Sequence, residues 1–273
     1  MAASAYETLQ VHEASGVLHV TLNRPVTRNA MSLRMVDELL AVLAQAERGG
    51  VRAVVLRGAG GHFCAGADLQ DMAGARQREM AGERDAIAAA NARFGALCVS
   101  WARTSVATIA VLEGSVMGGG LGLACVVDVA LAGTGAQLRL PETALGVVPA
   151  QIAAFLVERV GPSQARRLAV TGGKLSAAQA LAIGLVHELH DDAGASGRTA
   201  LDDALESTLA QILRCAPGAI AATKALIARA QHTPAAALVD DAASVFAAAA
   251  RGPEGIEGMT AFLQKRAPVW GRT

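Results

Sequence analysis

Three stretches of this sequence hold residues that could do chemistry together. Glu142 follows Pro141 in LPETALGVVP (residues 140–149), a lone carboxylate in a largely apolar run. A carboxyl group stripped of water binds its proton more tightly and can then serve as acid and base near neutral pH. EGSVMGGGLGL (residues 113–123) sets Gly118, Gly119 and Gly120 in succession where a strand runs into a helix. A helix start bare of side chains presents unpaired N–H donors and positive dipole, which suits a developing oxyanion. GAGGHFCAGADL (residues 58–69) leaves another strand with a second glycine-rich backbone, of the kind that can cradle an anion. Its G-x-G is not a dinucleotide fingerprint, because Phe63 stands where the third glycine would be. Each feature alone also has a purely structural reading. Glycines after strands make turns, and a glutamate after proline is a common helix-start residue.

The elements that must position these residues are partly legible. Residues 17–23 (VLHVTLN) alternate apolar and polar side chains, as a half-buried strand does. Residues 52–58 and 108–114 are denser apolar runs ending in glycine, consistent with strands buried on both faces. Between the first two lies a helix over residues 32–48. Ser32 is its N-cap, and Leu33, Val36, Leu39, Leu40 and Leu43 share one face. Strand, helix and strand at this spacing suggest a βαβ unit. A second helix is expected over residues 79–103, with short strands at 126–132 and 137–140. Ala-rich helices follow at 151–160, 163–170, 176–183, 200–214, 217–232, 234–250 and 253–266, punctuated by GP, GG, AP and TP. A polar loop spans residues 192–199.

Composition excludes several classes of function. The 273 residues carry 24 Lys+Arg and 24 Asp+Glu, so no net field draws in nucleic acid or an anionic membrane. The chain is 52% hydrophobic but only 3% aromatic, which calls for a core of small aliphatic side chains. Cys64, Cys98, Cys125 and Cys215 are scattered, with no metal-site or disulfide spacing. The apolar region at residues 106–133 is interrupted by Glu113 and Asp128, short of a membrane span. With no secretory signal at the N-terminus, the expectation is a reduced, cytoplasmic protein with no membrane or nucleic-acid partner.

In order along the chain, LNRPVTRNAMS, HFCAGADL, GGGLGLACVVDVALA, LPETALGVVP, GLVHEL, APGAIAATK and EGMTAFLQKRAP resemble the crotonase, or enoyl-CoA hydratase/isomerase, superfamily. The resemblance implies an α/β fold, a spiral of ββα repeats at residues 1–195, and a helical trimerisation region at 196–273. It implies a homotrimer or a dimer of trimers acting on acyl-CoA thioesters, with no cofactor, since CoA is part of the substrate. By position it makes the N–H groups of Ala67 and Gly119 the oxyanion donors, and Glu142 the acid and base. The Ala65 and Ala67 carbonyls would read adenine. Gly66, Asp68 and Gly118 would line the same CoA-facing segments, and Arg28 and Lys265 would meet CoA phosphates. Gln70 replaces a lysine often found after the GAD motif.

Two departures bear on the chemistry. Well-studied hydratases of the family carry a second glutamate where this chain has Gly122. One carboxylate can still add water to a 2-enoyl-CoA, since OH and H come from one water molecule. It can also move a 3-enoyl double bond to C2. The apolar neighbours Leu140, Leu145, Val147 and Val148 are expected to desolvate Glu142, and Gly122 to open room for a C3 substituent. The second departure is Pro149-Ala150-Gln151-Ile152, where relatives have glycines; Gln151 becomes either a polar group in the acyl pocket or a helix cap. These stretches resemble bacterial hydratases of branched glutaconyl-CoA thioesters, of the isohexenylglutaconyl and methylglutaconyl type. The leading expectation is therefore a 2-enoyl-CoA hydratase. A 3-enoyl to 2-enoyl-CoA isomerase comes second and a non-catalytic acyl-CoA-binding relative third.

Overall fold

The computed structural model describes residues 6–193 and 198–271. Residues 194–197, in the middle of the expected polar loop, lie outside it, as do residues 1–5 and 272–273. Strands β1 (Leu9–Ala14) and β2 (Val17–Leu22) form an antiparallel hairpin across Ser15 and Gly16, both left-handed as a tight two-residue turn requires. Helix α1 (Leu33–Gly49) starts where the Ser32 side chain accepts from the Met35 N–H and stops at the left-handed Gly50. Strand β3 (Ala53–Gly58) then pairs parallel with β2, completing the expected βαβ unit.

The helix expected at residues 79–103 is two helices, α2 (Leu69–Met80) and α3 (Ala86–Arg103). Gly82 and Asp85 both adopt positive φ, which no α-helix can carry through. Next come β4 (Ala107–Leu112), β5 (Ser115–Met117), α4 (Gly119–Val126), β6 (Val129–Gly133) and β7 (Gln137–Arg139). Helix α5 (Ala153–Thr171) joins two of the expected helices across a break at Gly161, before Pro162. Then follow β8 (Lys174–Ser176), α6 (Ala177–Ala182), β9 (Glu188–His190) and helices α7 (Ala200–Leu213), α8 (Pro217–Ala230), α9 (Ala235–Arg251) and α10 (Pro253–Leu263).

The main sheet has the order β1-β2-β3-β4-β6-β9, parallel throughout except for the β1–β2 hairpin. A small sheet, β5-β7-β8, stands beside it. Strand alternation divides the core in two. Leu18, Val20, Leu22, Val54 and Leu56 face one side, with Met35 and Leu39 of α1 and Leu97 and Trp101 of α3 in the same cluster. Val17, Val55, Ile109 and Leu131 face the other, packed with Leu201 and Leu205 of α7. Both clusters are mainly aliphatic, with Trp101 and Phe63 the largest side chains fully buried in the first. No helix among the described residues is long and apolar enough to cross a membrane.

Candidate active site

The glycine-rich segment after β3 is threaded between two other segments that bond to its backbone from both sides. On one side the Met31 N–H donates to the Gly66 carbonyl (2.7 Å) and the Asp68 N–H donates to the Met31 carbonyl (3.0 Å). On the other, the Cys64 N–H donates to the Ser115 carbonyl and the Met117 N–H to the Cys64 carbonyl (both 2.9 Å). Met31 therefore bridges Gly66 and Asp68, and Ala67 between them turns its own N–H and C=O away from Met31. Its N–H donates to no backbone carbonyl among the described residues. The Gly119 N–H, at the first position of α4, is likewise untaken among them.

These two donor segments touch. A Cβ at Gly66, which has φ of +101°, would sit 3.3 Å from the Met117 carbonyl oxygen and 3.9 Å from the Gly118 Cα. Gly118 has φ of +49° and donates its N–H to the Arg139 carbonyl, so it is spent on holding the turn. A Cβ there would also lie 2.9 Å from Oε1 of Glu142. The glycine thus makes room for the acid beside the start of α4.

Glu142 opens a short 3-10 turn that ends at the left-handed Gly146. Its side chain is half-buried, and Oε2 is buried with no hydrogen-bond partner among the described residues. Burial raises its pKa above the ordinary 4.5, opposed only by a backbone N–H. The expected source of that burial needs correction. Leu140 is buried, but Leu145 and Val148 are 68% and 70% exposed and Val147 is also exposed, because the turn carries them outward. The start of α4 packs against the acid in their place, close enough that a Cβ at Gly118 would nearly touch its Oε1.

Gly122 leaves no void either. A Cβ there would meet Ile152 Cγ1 at 3.0 Å and Phe94 Cζ at 3.1 Å, so these two side chains already fill the space. Gln151 does not cap α5, whose N-cap, Ile152, makes no side-chain bond. Its amide instead donates to Asn91 Oδ1 (2.8 Å), lying over Gly95, where a Cβ would be 2.2 Å from Oε1.

The remaining expected residues divide by what they touch. The Asp68 carboxylate pairs with Arg24 (2.6 Å) and accepts from the Gln70 N–H, capping α2. Burial would raise its pKa, but the Arg24 and backbone donors together hold it below the usual carboxylate value. Its charge thus braces the loop. The Arg28 carbonyl accepts from the Ala65 N–H (2.9 Å), so its backbone adjoins the site while its exposed side chain makes no ion pair among the described residues. Lys265 lies just past α10 with left-handed backbone, exposed, and no hydrogen bond or ion pair among the described residues ties its side chain to the others. Sequence reasoning passed over Arg24, Met31, Phe94 and Ile152. Arg24 and Met31 lie within the quoted LNRPVTRNAMS and Ile152 within the quoted stretch 149–152, but Met31, Phe94 and Ile152 carry no chemistry-bearing side chain, and only their tertiary contacts reveal them.

Comparisons with known proteins identify the family and the fold. The family profile described as Enoyl-CoA hydratase/isomerase matches residues 12–273. The chain is 34% identical to the 2,3-dehydroadipyl-CoA hydratase of Escherichia coli (strain K12), over 95% of this chain and 97% of that one. Among solved structures, Pseudomonas aeruginosa AtuE is 52% identical with a TM-score of 0.91, covering 97% of this chain and all of that one. An enoyl-CoA hydratase/isomerase from Marinobacter aquaeolei is 48% identical over the same shares, also with a TM-score of 0.91. With its profile matched over nearly the whole length and its fold shared, the chain belongs to the enoyl-CoA hydratase/isomerase family of the crotonase superfamily.

Proposed function

We propose that this protein adds water across the double bond of a 2-enoyl-CoA thioester, using Glu142 as the single acid and base. The supporting observation is the half-buried Glu142 carboxylate against the start of α4, with its Oε2 buried and without a hydrogen-bond partner among the described residues. In this reading the thioester oxygen accepts from the N–H groups of Ala67 and Gly119. As water attacks C3, Glu142 takes its proton, the π electrons move to the thioester oxygen, and an enolate forms. Glu142 then returns that proton to C2 as the enolate collapses. One water supplies both OH and H, so no second carboxylate is needed for balance. Preorganised amides stabilise the enolate without moving, and losing one such donor typically costs about 10²–10³-fold in rate.

A second reading has its own support. With Phe94 and Ile152 packed over Gly122, no carboxylate stands there to hold a water, which favours one-base migration of a 3-enoyl double bond to C2. There Glu142 would remove a proton at C2 and deliver it at C4. A glutaconyl-type chain, carrying a distal carboxylate, is the acyl group we propose, on the likeness to the 2,3-dehydroadipyl-CoA hydratase. We further propose a homotrimer, alone or doubled, because α8 and α9 bury no residue in one chain and Phe246 and Phe262 are 75% and 83% exposed. Lys265 of such an assembly would meet CoA phosphate, with Arg28 beside Ala65 as a second cation.

The deciding assay offers crotonyl-CoA, a 3-methylglutaconyl-type thioester and a 3-enoyl-CoA to wild type and Glu142→Gln. Water addition lost in the variant supports hydration. Double-bond migration without water addition supports the isomerase, and binding with no turnover on any thioester would overturn both.

A further inference from the structure

The short helix that carries the Gly119 N–H is held in an unusual way. Helix α4, GGLGLACV, has no polar side chain, and its N-cap Gly118 makes no side-chain bond. Residues 120–126 are all buried, so solvent cannot satisfy the carbonyls at its far end. Arg159, on the facing α5, does so. Its Nη2 donates to the carbonyls of Cys125 (2.9 Å), Ala124 (3.4 Å) and Val127, and its Nε donates to that of Cys125 (3.3 Å). Among the described residues no other side chain hydrogen-bonds to the backbone of α4. Nor does the guanidinium pair with a carboxylate among them. Its partly buried charge sits at the negative end of the helix dipole, with Asp128 acting on it as the nearby carboxylate but not bonded to it.

The other end of the helix has no slack. A Cβ at Gly120 would lie 2.7 Å from both the Cβ and the carbonyl oxygen of Cys64, inside the first donor segment. An eight-residue helix is about 12 Å long, so a clamp at its C-terminus sets where its N-terminus falls. Arg159 Nη1 also lies 2.9 Å from Nε2 of His187, a ring whose Nδ1 accepts from the Ala130 N–H on β6 (2.9 Å).

We infer that Arg159 is a positioning residue: by binding the C-terminal carbonyls of α4 it holds the Gly119 N–H on the thioester oxygen. The inference rests on the oxyanion reading proposed above. It differs from that reading in placing rate control on a side chain that never touches substrate. Arg159→Met removes the fork and the charge, whereas Arg159→Lys keeps the charge and loses the fork geometry.

The test measures the infrared carbonyl stretch of bound butyryl-CoA labelled with carbon-13 at the carbonyl, beside kcat and KM. Wild type should shift the band to lower frequency than in solution. Arg159→Met should lose much of that shift and lower kcat on the order of a hundredfold, the scale of a 1 Å misplacement. Its KM should stay within about twofold. Arg159→Lys should fall between, which keeps the test open if the methionine variant does not fold. A shifted wild-type band retained in full by Arg159→Lys, with unchanged kcat and only a lower Tm, would overturn this inference alone. A wild-type band unshifted from solution would overturn the oxyanion reading and this inference together.

Discussion

At the scale of single residues the account turns on a carboxyl group held in poor solvation. Because burial raises the pKa of Glu142 above 4.5, the folded chain binds its proton more tightly than the unfolded chain does. Stability from this group is therefore full below pH 4.5 and falls as pH rises through the raised value. Glu142→Gln should be more stable than wild type at neutral pH, with the gap closing in acid, as urea melts across pH would show. The same variant should lose about 10²–10⁴-fold in turnover, the usual contribution of a positioned acid–base group. The wild-type kcat/KM should lose its activity in acid through a pKa above 4.5, since the carboxylate must be ionised to accept the proton of water. The position of Glu142 was legible in the sequence, because a lone acid in an apolar run is conspicuous. The source of its burial was not. Leu145 and Val148 look like core residues in one dimension, but the turn at Gly146 faces them outward.

At the scale of elements, glycines decide where helices can go. Gly120→Ala should push α4 off Cys64, lowering kcat at least about tenfold and lowering Tm, because the added methyl meets backbone and not a movable side-chain tip. Gly74→Ala, inside α2 with nothing within 4 Å of the new Cβ, should instead stabilise the protein by about 1 kcal/mol. Denaturant melts of the two variants compare them directly. A second element-level expectation concerns the clamp behind α4. Burial, and then the nearby Arg159 charge, hold His187 below the usual 6.5. Stability from the neutral ring is full above pH 6.5 and is lost as pH falls through the lowered value. His187→Gln should flatten that loss in pH-dependent melts. Long apolar runs such as β3 and β4 were readable, whereas β5, β8 and β9 are three residues each and exist only because neighbours pair with them. Arg159 was unreadable for the same reason: the carbonyls it serves lie more than thirty residues away.

At the scale of the whole molecule, the main sheet divides two aliphatic cores and aims its glycine-rich connections at one place. The helical end is different in kind. Lys224 of α8 reaches back to Asp128 (2.6 Å) and to the Val106 carbonyl (2.7 Å), but α8 and α9 keep no buried residue of their own. Such amphipathic helices match an assembly between copies, and sedimentation should show a trimer or its dimer. Phe246→Asp should shift that equilibrium toward the monomer and lower Tm. The seven sequence motifs were enough to read the family.

The most direct test of the central claim needs no knowledge of the acyl chain. Butyryl-CoA, which has no double bond to hydrate or shift, is incubated with the protein in deuterated water, and deuterium at C2 is followed by mass spectrometry. If two main-chain amides stabilise an enolate while Glu142 carries the proton, wild type exchanges C2 hydrogen and Glu142→Gln does not. Exchange that persists undiminished in Glu142→Gln, or a wild type that binds the thioester and never exchanges, would contradict it.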